Sequence, residues 1–166
     1  MPTRASCSLL LVVFVALGFG LGGCGGGDGG TRPTPVTQPP APARVSVAQS
    51  STEISAPPDD ESYFFAVMPF STTETGTIEV RVDWTYATNT VFVLVTGGAC
   101  SAVQYQNADC PDGPTCECTF VATSFTSAPK PRVLTVPSAA PGPRAVIVEN
   151  LGPLEESVNV QVTLIR

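Results

Sequence analysis

Cys100, Cys110, Cys116 and Cys118 stand close together in the chain, and thiols so placed either pair with one another or share a metal ion. Their C-x-C and C-x5-C spacings have the form that wraps zinc in a four-thiolate site. In an exported chain an even set of cysteines reads instead as disulfides. Four cysteines allow three pairings. A Cys116–Cys118 link would close a very tight ring against normal bond geometry. Two pairings remain, and the favoured one joins Cys100 to Cys118 and Cys110 to Cys116, nesting Pro111-Asp112-Gly113-Pro114 in the inner loop. Closing the outer loop contributes about 3 kcal/mol through the chain entropy of the unfolded state. Between the first two cysteines runs Gln104-Tyr105-Gln106-Asn107, a polar stretch with an amphipathic aromatic. Loops held by a rigid scaffold are where binding usually resides, so these four residues are the expected ligand-contact surface.

Other chemistry is thinly supplied. The chain has no histidine, which removes Ser-His-Asp and Cys-His catalysis, imidazole metal ligands and the usual proton shuttle. Ser127-Ala128-Pro129-Lys130 matches an S-x-x-K pattern, but that pattern works only on a helix with its partner motifs. Here a proline lies inside it, Pro131 follows, and no Ser-Asp-Asn or Lys-Thr-Gly appears. Asp59-Asp60-Glu61 and Glu155-Glu156 gather carboxylates in polar turn sequence, where solvation accounts for them; the first has a loose fit to calcium. The expectation is a non-catalytic chain with no cofactor and no built metal site.

The elements that must position these residues are strands. Val158, Val160, Val162 and Leu164 alternate with Asn159, Gln161 and Thr163, and Ile78, Val80, Val82 and Trp84 alternate with Glu79, Arg81 and Asp83. Period-two alternation marks half-buried strands, so Trp84 belongs to a core face. Continuous apolar runs at 63–68, 91–95 and 145–148 predict strands covered on both faces. Weaker strands are expected at 44–48, 118–123 and 132–136. Turn clusters separate them, among them Pro57-Pro58-Asp59-Asp60, Gly97-Gly98, Pro141-Gly142-Pro143 and Leu151-Gly152-Pro153, at a density that forbids long helices. Seven or eight short strands with such punctuation predict one all-β domain over residues 44–166, a single antiparallel β-sandwich.

Ahead of that domain the composition changes twice. Arg4 is followed by an apolar run from Leu9 to Leu21, too short to span a bilayer and interrupted by Gly18 and Gly20, which is the layout of a secretory signal. It ends in Leu21-Gly22-Gly23-Cys24, which resembles the lipobox of bacterial lipoproteins. The resemblance implies that residues 1–23 are removed and that Cys24 becomes a lipid-modified first residue. Residues 24–43 then form a linker, glycine-rich from Gly25 to Gly30 and proline-rich through Pro33, Pro35, Pro39, Pro40 and Pro42. Extended polyproline geometry at ~3.1 Å per residue lets it reach on the order of 50 Å from a membrane. Gly25 stands where an aspartate would resemble an inner-membrane retention signal, so outer-membrane or cell-surface placement is expected. Loss of Arg4 takes the formal charge from −6 to −7, with no basic stripe, which argues against nucleic-acid binding.

Across residues 60–166 the chain resembles the pre-peptidase C-terminal type of jelly-roll domain. The likeness rests on Tyr63-Phe64-Phe65, on Thr75-Gly76-Thr77-Ile78-Glu79-Val80 leading into Val82-Asp83-Trp84, on Ala145-Val146-Ile147-Val148-Glu149-Asn150-Leu151-Gly152, and on Glu156-Ser157-Val158. It implies a jelly-roll-like sandwich serving as a non-catalytic appendage, some relatives binding calcium or glycans. The acidic calcium turn of such relatives would fall near Asn89-Thr90, where no carboxylate stands. The expected function is that of a membrane-anchored lipoprotein displaying a sandwich that binds glycan, peptidoglycan or an envelope protein. The competing expectation is a structural subunit of an envelope complex.

Overall fold

Alternating or continuously apolar side chains form strands when they have a core to join, and eight stretches of the described residues do so. The computed structural model describes residues 38–58, 63–106, 118–125 and 130–166. Contacts divide the chain into Met1–Gln38 and Pro39–Arg166; the sandwich is the second, and of the first only Gln38 is described. Its strands are β1 (Arg44–Ile54), β2 (Phe64–Thr72), β3 (Gly76–Trp84), β4 (Val91–Thr96), β5 (Phe120–Ser124), β6 (Arg132–Ala139), β7 (Gly142–Asn150) and β8 (Glu156–Ile165). One short helix, α1 (Ala102–Gln106), lies between β4 and β5. Sheet A runs β1-β8-β3-β6 and sheet B runs β2-β7-β4-β5, every neighbour antiparallel. That double order is the winding of a two-sheet jelly roll.

The expected strands are all present, and the run from Ala145 to Val148 is buried throughout, as its lack of alternation requires. Boundaries differ: β1 and β2 run on to Ile54 and Thr72, past the expected 48 and 68, β6 runs to Ala139 rather than 136, and one expected turn is strand. Pro141-Gly142-Pro143 was an expected turn, whereas β7 already begins at Gly142, whose φ of 141° is open to glycine alone. Between the sheets, Ile78, Val80, Val82 and Trp84 of β3 and Val158, Val160 and Val162 of β8 meet Val91, Val93, Val95, Val146 and Val148. Trp84 is buried as its register demands, and its Nε1 donates to the Tyr86 carbonyl at 2.9 Å. Arg132 closes one side with its guanidinium 5.4 Å from the Trp84 ring centroid, and burial pulls its pKa below the ordinary value.

The sheet edges are blunted in different ways. β1 carries an irregularity between Ser46 and Ala48, β5 is short, and β2 and β6 contain Pro69 and Pro137. Pro69 costs its own ladder nothing. Its partner Ala145 turns its N–H (2.7 Å) and carbonyl (3.3 Å) to Thr96 Oγ1, so Pro69 and Ala145 form a non-hydrogen-bonded pair.

Candidate functional site

The segment after β4 lies on the outer face of sheet B. Ser101 opens α1 as a capping box: its Oγ accepts from the Gln104 N–H at 3.2 Å, and Gln104 Oε1 accepts from the Ser101 N–H at 2.9 Å. The segment is held by a Cys100–Cys118 disulfide with Cα atoms 5.6 Å apart, the outer link expected from the sequence. Cys110 and Cys116 lie outside the described residues. Tyr105, expected on the surface, is only 1% exposed. Its ring packs edge-on against Phe65 at 4.9 Å and Phe120 at 6.2 Å, and its hydroxyl donates to the Glu149 carboxylate. The expectation failed because the polar neighbours of Tyr105 belong to a helix cap rather than to a solvated loop. One helical turn swings an amphipathic ring back onto the apolar outer face formed by Leu94, Ala145 and Ile147. Of the four expected contact residues, Gln104 is half-buried and caps the helix, Gln106 is exposed, and Asn107 lies outside the described residues. The described part of this segment therefore covers part of the outer face of sheet B with a second small core, beside a depression of about 380 Å³ lined by Val67, Pro69, Cys100 and Arg144.

Among the described residues nothing covers the outer face of sheet A. Register places Gln49, Gln161 and Arg81 in one row across β1, β8 and β3, and Ser51, Asn159 and Asp83 in the next. With strands ~4.8 Å apart and same-face neighbours two residues apart, these rows make a plate of about 10 by 7 Å. Gln49, Arg81, Asp83, Asn159 and Gln161 line a shallow depression of about 300 Å³ there. Their hydrogen-bonding groups are largely uncommitted. Asp83 is the exception: its carboxylate accepts the Trp84 N–H at 3.0 Å and lies 3.7 Å from Lys130 Nζ. Arg81 makes no ion pair among the described residues, and Gln49, Asn159 and Gln161 are exposed without a side-chain partner there. Three amides, a guanidinium and a carboxylate offer paired donors and acceptors at close spacing, the chemistry that grips adjacent hydroxyls. Arg81, Asp83, Asn159 and Gln161 were visible as the polar half of two alternating strands, whereas Gln49 lay just past the expected strand at 44–48. Nothing local distinguished them from an ordinary solvated face, because the signal is their juxtaposition across three strands distant in sequence.

The remaining candidates are structural. Glu156 is fully buried and accepts the Thr85 N–H at 2.7 Å and the Tyr86 N–H at 3.1 Å, tying the β3–β4 turn to β8. Asn89 Nδ2 donates to the Leu154 carbonyl at 2.8 Å and to Asn150 Oδ1 at 3.2 Å. Asn150 also accepts the Gly152 N–H at 3.0 Å, so the turn at Asn89 is held by an amide network. Among the described residues no group of three or more acidic, cysteine or histidine side chains is placed to hold a metal ion. No described helix is long and apolar enough to cross a membrane. Cys24, the Asp59-Asp60-Glu61 cluster and Ser127 lie outside the described residues.

A scan against protein-family models finds no match, and a search of curated proteins finds none.

Proposed function

We propose that this chain is a lipid-anchored envelope protein whose sandwich is a non-catalytic binding module for a hydroxyl-rich ligand, an envelope glycan or peptidoglycan. Cys24, after the Leu21-Gly22-Gly23 run, carries the lipid, and residues 24–43 form the tether. One observation carries the binding reading: among the described residues, Gln49, Arg81, Asn159 and Gln161 present polar groups without side-chain partners side by side on the outer face of sheet A. The blunted edges support a face-on mode, because none offers a clean strand for a partner peptide to extend. Placement at the outer membrane or cell surface follows from Cys24 and the residue after it.

Sedimentation of the mature protein with purified peptidoglycan and with envelope polysaccharide tests the module. Binding to one of them is expected, and Gln49→Ala with Gln161→Ala should weaken it more than ten-fold at unchanged melting temperature. Binding that survives the double substitution moves the ligand off sheet A. Stoichiometric recovery of one envelope protein, with no retention on glycan, selects the assembly-subunit reading. Metabolic labelling with a palmitate analogue, lost in Cys24→Ala, tests the anchor.

A further inference from the structure

Charge is distributed unevenly over the outer face of sheet A. The outward positions of β3 are Glu79, Arg81 and Asp83, because Val80 and Val82 point into the core. Each of the two carboxylates has a cation of its own. Arg44 of β1 pairs with Glu79, and Lys130, just ahead of β6, lies 3.7 Å from Asp83. Arg81 stands between them, exposed, and among the described residues it pairs with neither. Its neighbours bring hydrogen-bonding groups but no charge. Register sets Gln161 of β8 opposite Arg81 on one side and Val133 of β6 on the other, with Gln49 of β1 beyond Gln161. Directly opposed side chains start ~5 Å apart, and a diagonal neighbour such as Asn159 about 7–8 Å away. One guanidinium with its N–H fork thus sits among three amides, at the side of the depression of about 300 Å³.

We infer that the ligand of this face is an acidic saccharide held through one carboxylate by Arg81, which makes Arg81 the residue that selects acidic over neutral sugar. The inference rests on the reading of the plate as a hydroxyl-binding surface and adds which class of saccharide it takes. A face whose carboxylates are matched and whose central guanidinium is not has one place for a partner's negative charge. A carboxylate fits that place. It is planar, it meets the guanidinium fork with two parallel N–H···O bonds, and its single charge equals that of one arginine. A phosphate monoester carries about −1.5 to −2 at neutral pH and would leave charge uncompensated here. The Gln161 amide, beside the fork, has N–H groups for the same carboxylate, while Gln49 and Asn159 offer donors and acceptors to hydroxyls on adjoining carbons. Val133, half exposed on the other side of Arg81, gives the C–H face of the ring an apolar rest. The formal charge of −6 on the whole chain repels a polymer that is acidic at every ring, which favours isolated carboxylates over a polyuronate.

The test is calorimetric titration of the mature protein with two sugars: a tetrasaccharide alternating glucuronate with N-acetylglucosamine, and the same tetrasaccharide with its carboxyl groups reduced to alcohols. The acidic sugar should bind roughly ten-fold more tightly, the margin of a charge-assisted bidentate pair over neutral hydrogen bonds. That margin should shrink as salt is added. Arg81→Gln should bring the ratio of the two affinities close to one, and Arg81→Lys, which keeps the charge but not the fork, should retain about three-fold. Neither substitution should lower the melting temperature, because Arg81 is exposed and has no ion pair to lose among the described residues. Equal binding of the two sugars overturns the inference and leaves the hydroxyl-binding reading standing. An acid preference that survives Arg81→Gln places the carboxylate elsewhere and overturns it as well. If neither sugar binds, the inference falls, and sedimentation with peptidoglycan and envelope polysaccharide decides whether the broader reading falls with it.

Discussion

Replacing Gly152 by alanine should unlock the turn network joining the β3–β4 and β7–β8 connections. A Cβ added there would lie 1.9 Å from Asn89 Oδ1 and 2.2 Å from its Cγ. Normal contact is ~3.5–4.0 Å, so the Asn89 amide must retreat by more than an ångström. It holds two bonds, to the Leu154 carbonyl at 2.8 Å and to Asn150 Oδ1 at 3.2 Å, and neither survives that displacement. Each is worth ~1 kcal/mol net, and stranding buried acceptors adds to it, so the expected loss is about 2–4 kcal/mol. For a domain of this size that lowers the melting temperature by roughly 10 °C. The decisive measurement is a double-mutant cycle by urea unfolding. Asn89→Ala alone removes the same two bonds and should cost about 2 kcal/mol. In that background the added methyl has room, so Gly152→Ala should cost less than about 0.5 kcal/mol more. Additive costs, or a Gly152→Ala loss below about 0.5 kcal/mol, would refute the steric account.

Four further outcomes are expected. Replacing Cys100 and Cys118 together by serine should destabilise the domain by about 3 kcal/mol in urea, the entropy of closing that loop. Tyr105→Phe should cost about 1.5–3 kcal/mol in the same assay by taking a donor from the buried Glu149 carboxylate. Arg132→Lys should lose the bond to the Val91 carbonyl (2.6 Å) and the stack on Trp84, read as a shift in tryptophan emission with a loss of ~1–2 kcal/mol. Pro69→Val should leave thermal stability nearly unchanged but raise self-association by light scattering, because it restores an N–H on an open edge.

The strands were legible because burial of one face writes itself into every second residue. Ile78 to Trp84 and Val158 to Leu164 could belong to nothing else, and Trp84 sits where that period puts it. Ring strain in a Cys116–Cys118 bond narrowed the pairings to two without choosing between them, and the fold supplies the Cys100–Cys118 link. Tyr105 was not legible, since a polar stretch reads alike whether its amides meet water or cap a helix turn; Ser101 and Gln104, three apart, were the overlooked sign. The polar plate was hidden for another reason. Gln49, Arg81 and Gln161 become neighbours only when β8 inserts between β1 and β3, and that insertion is a property of the winding, not of any window of sequence.

β1 also has a mechanical character. Ala43 and Arg166 exchange backbone hydrogen bonds at 2.8 and 3.0 Å, and the ladder continues from Arg44 opposite Ile165 to Ile54 opposite Glu156. A pull on the chain ahead of residue 43, opposed by a grip on the face of sheet A, acts along the axis of β1. Antiparallel ladder bonds lie across that axis, so they are loaded in shear and share the force instead of opening one after another. Under a load applied that way, β1 would carry tension through the length of its ladder with β8.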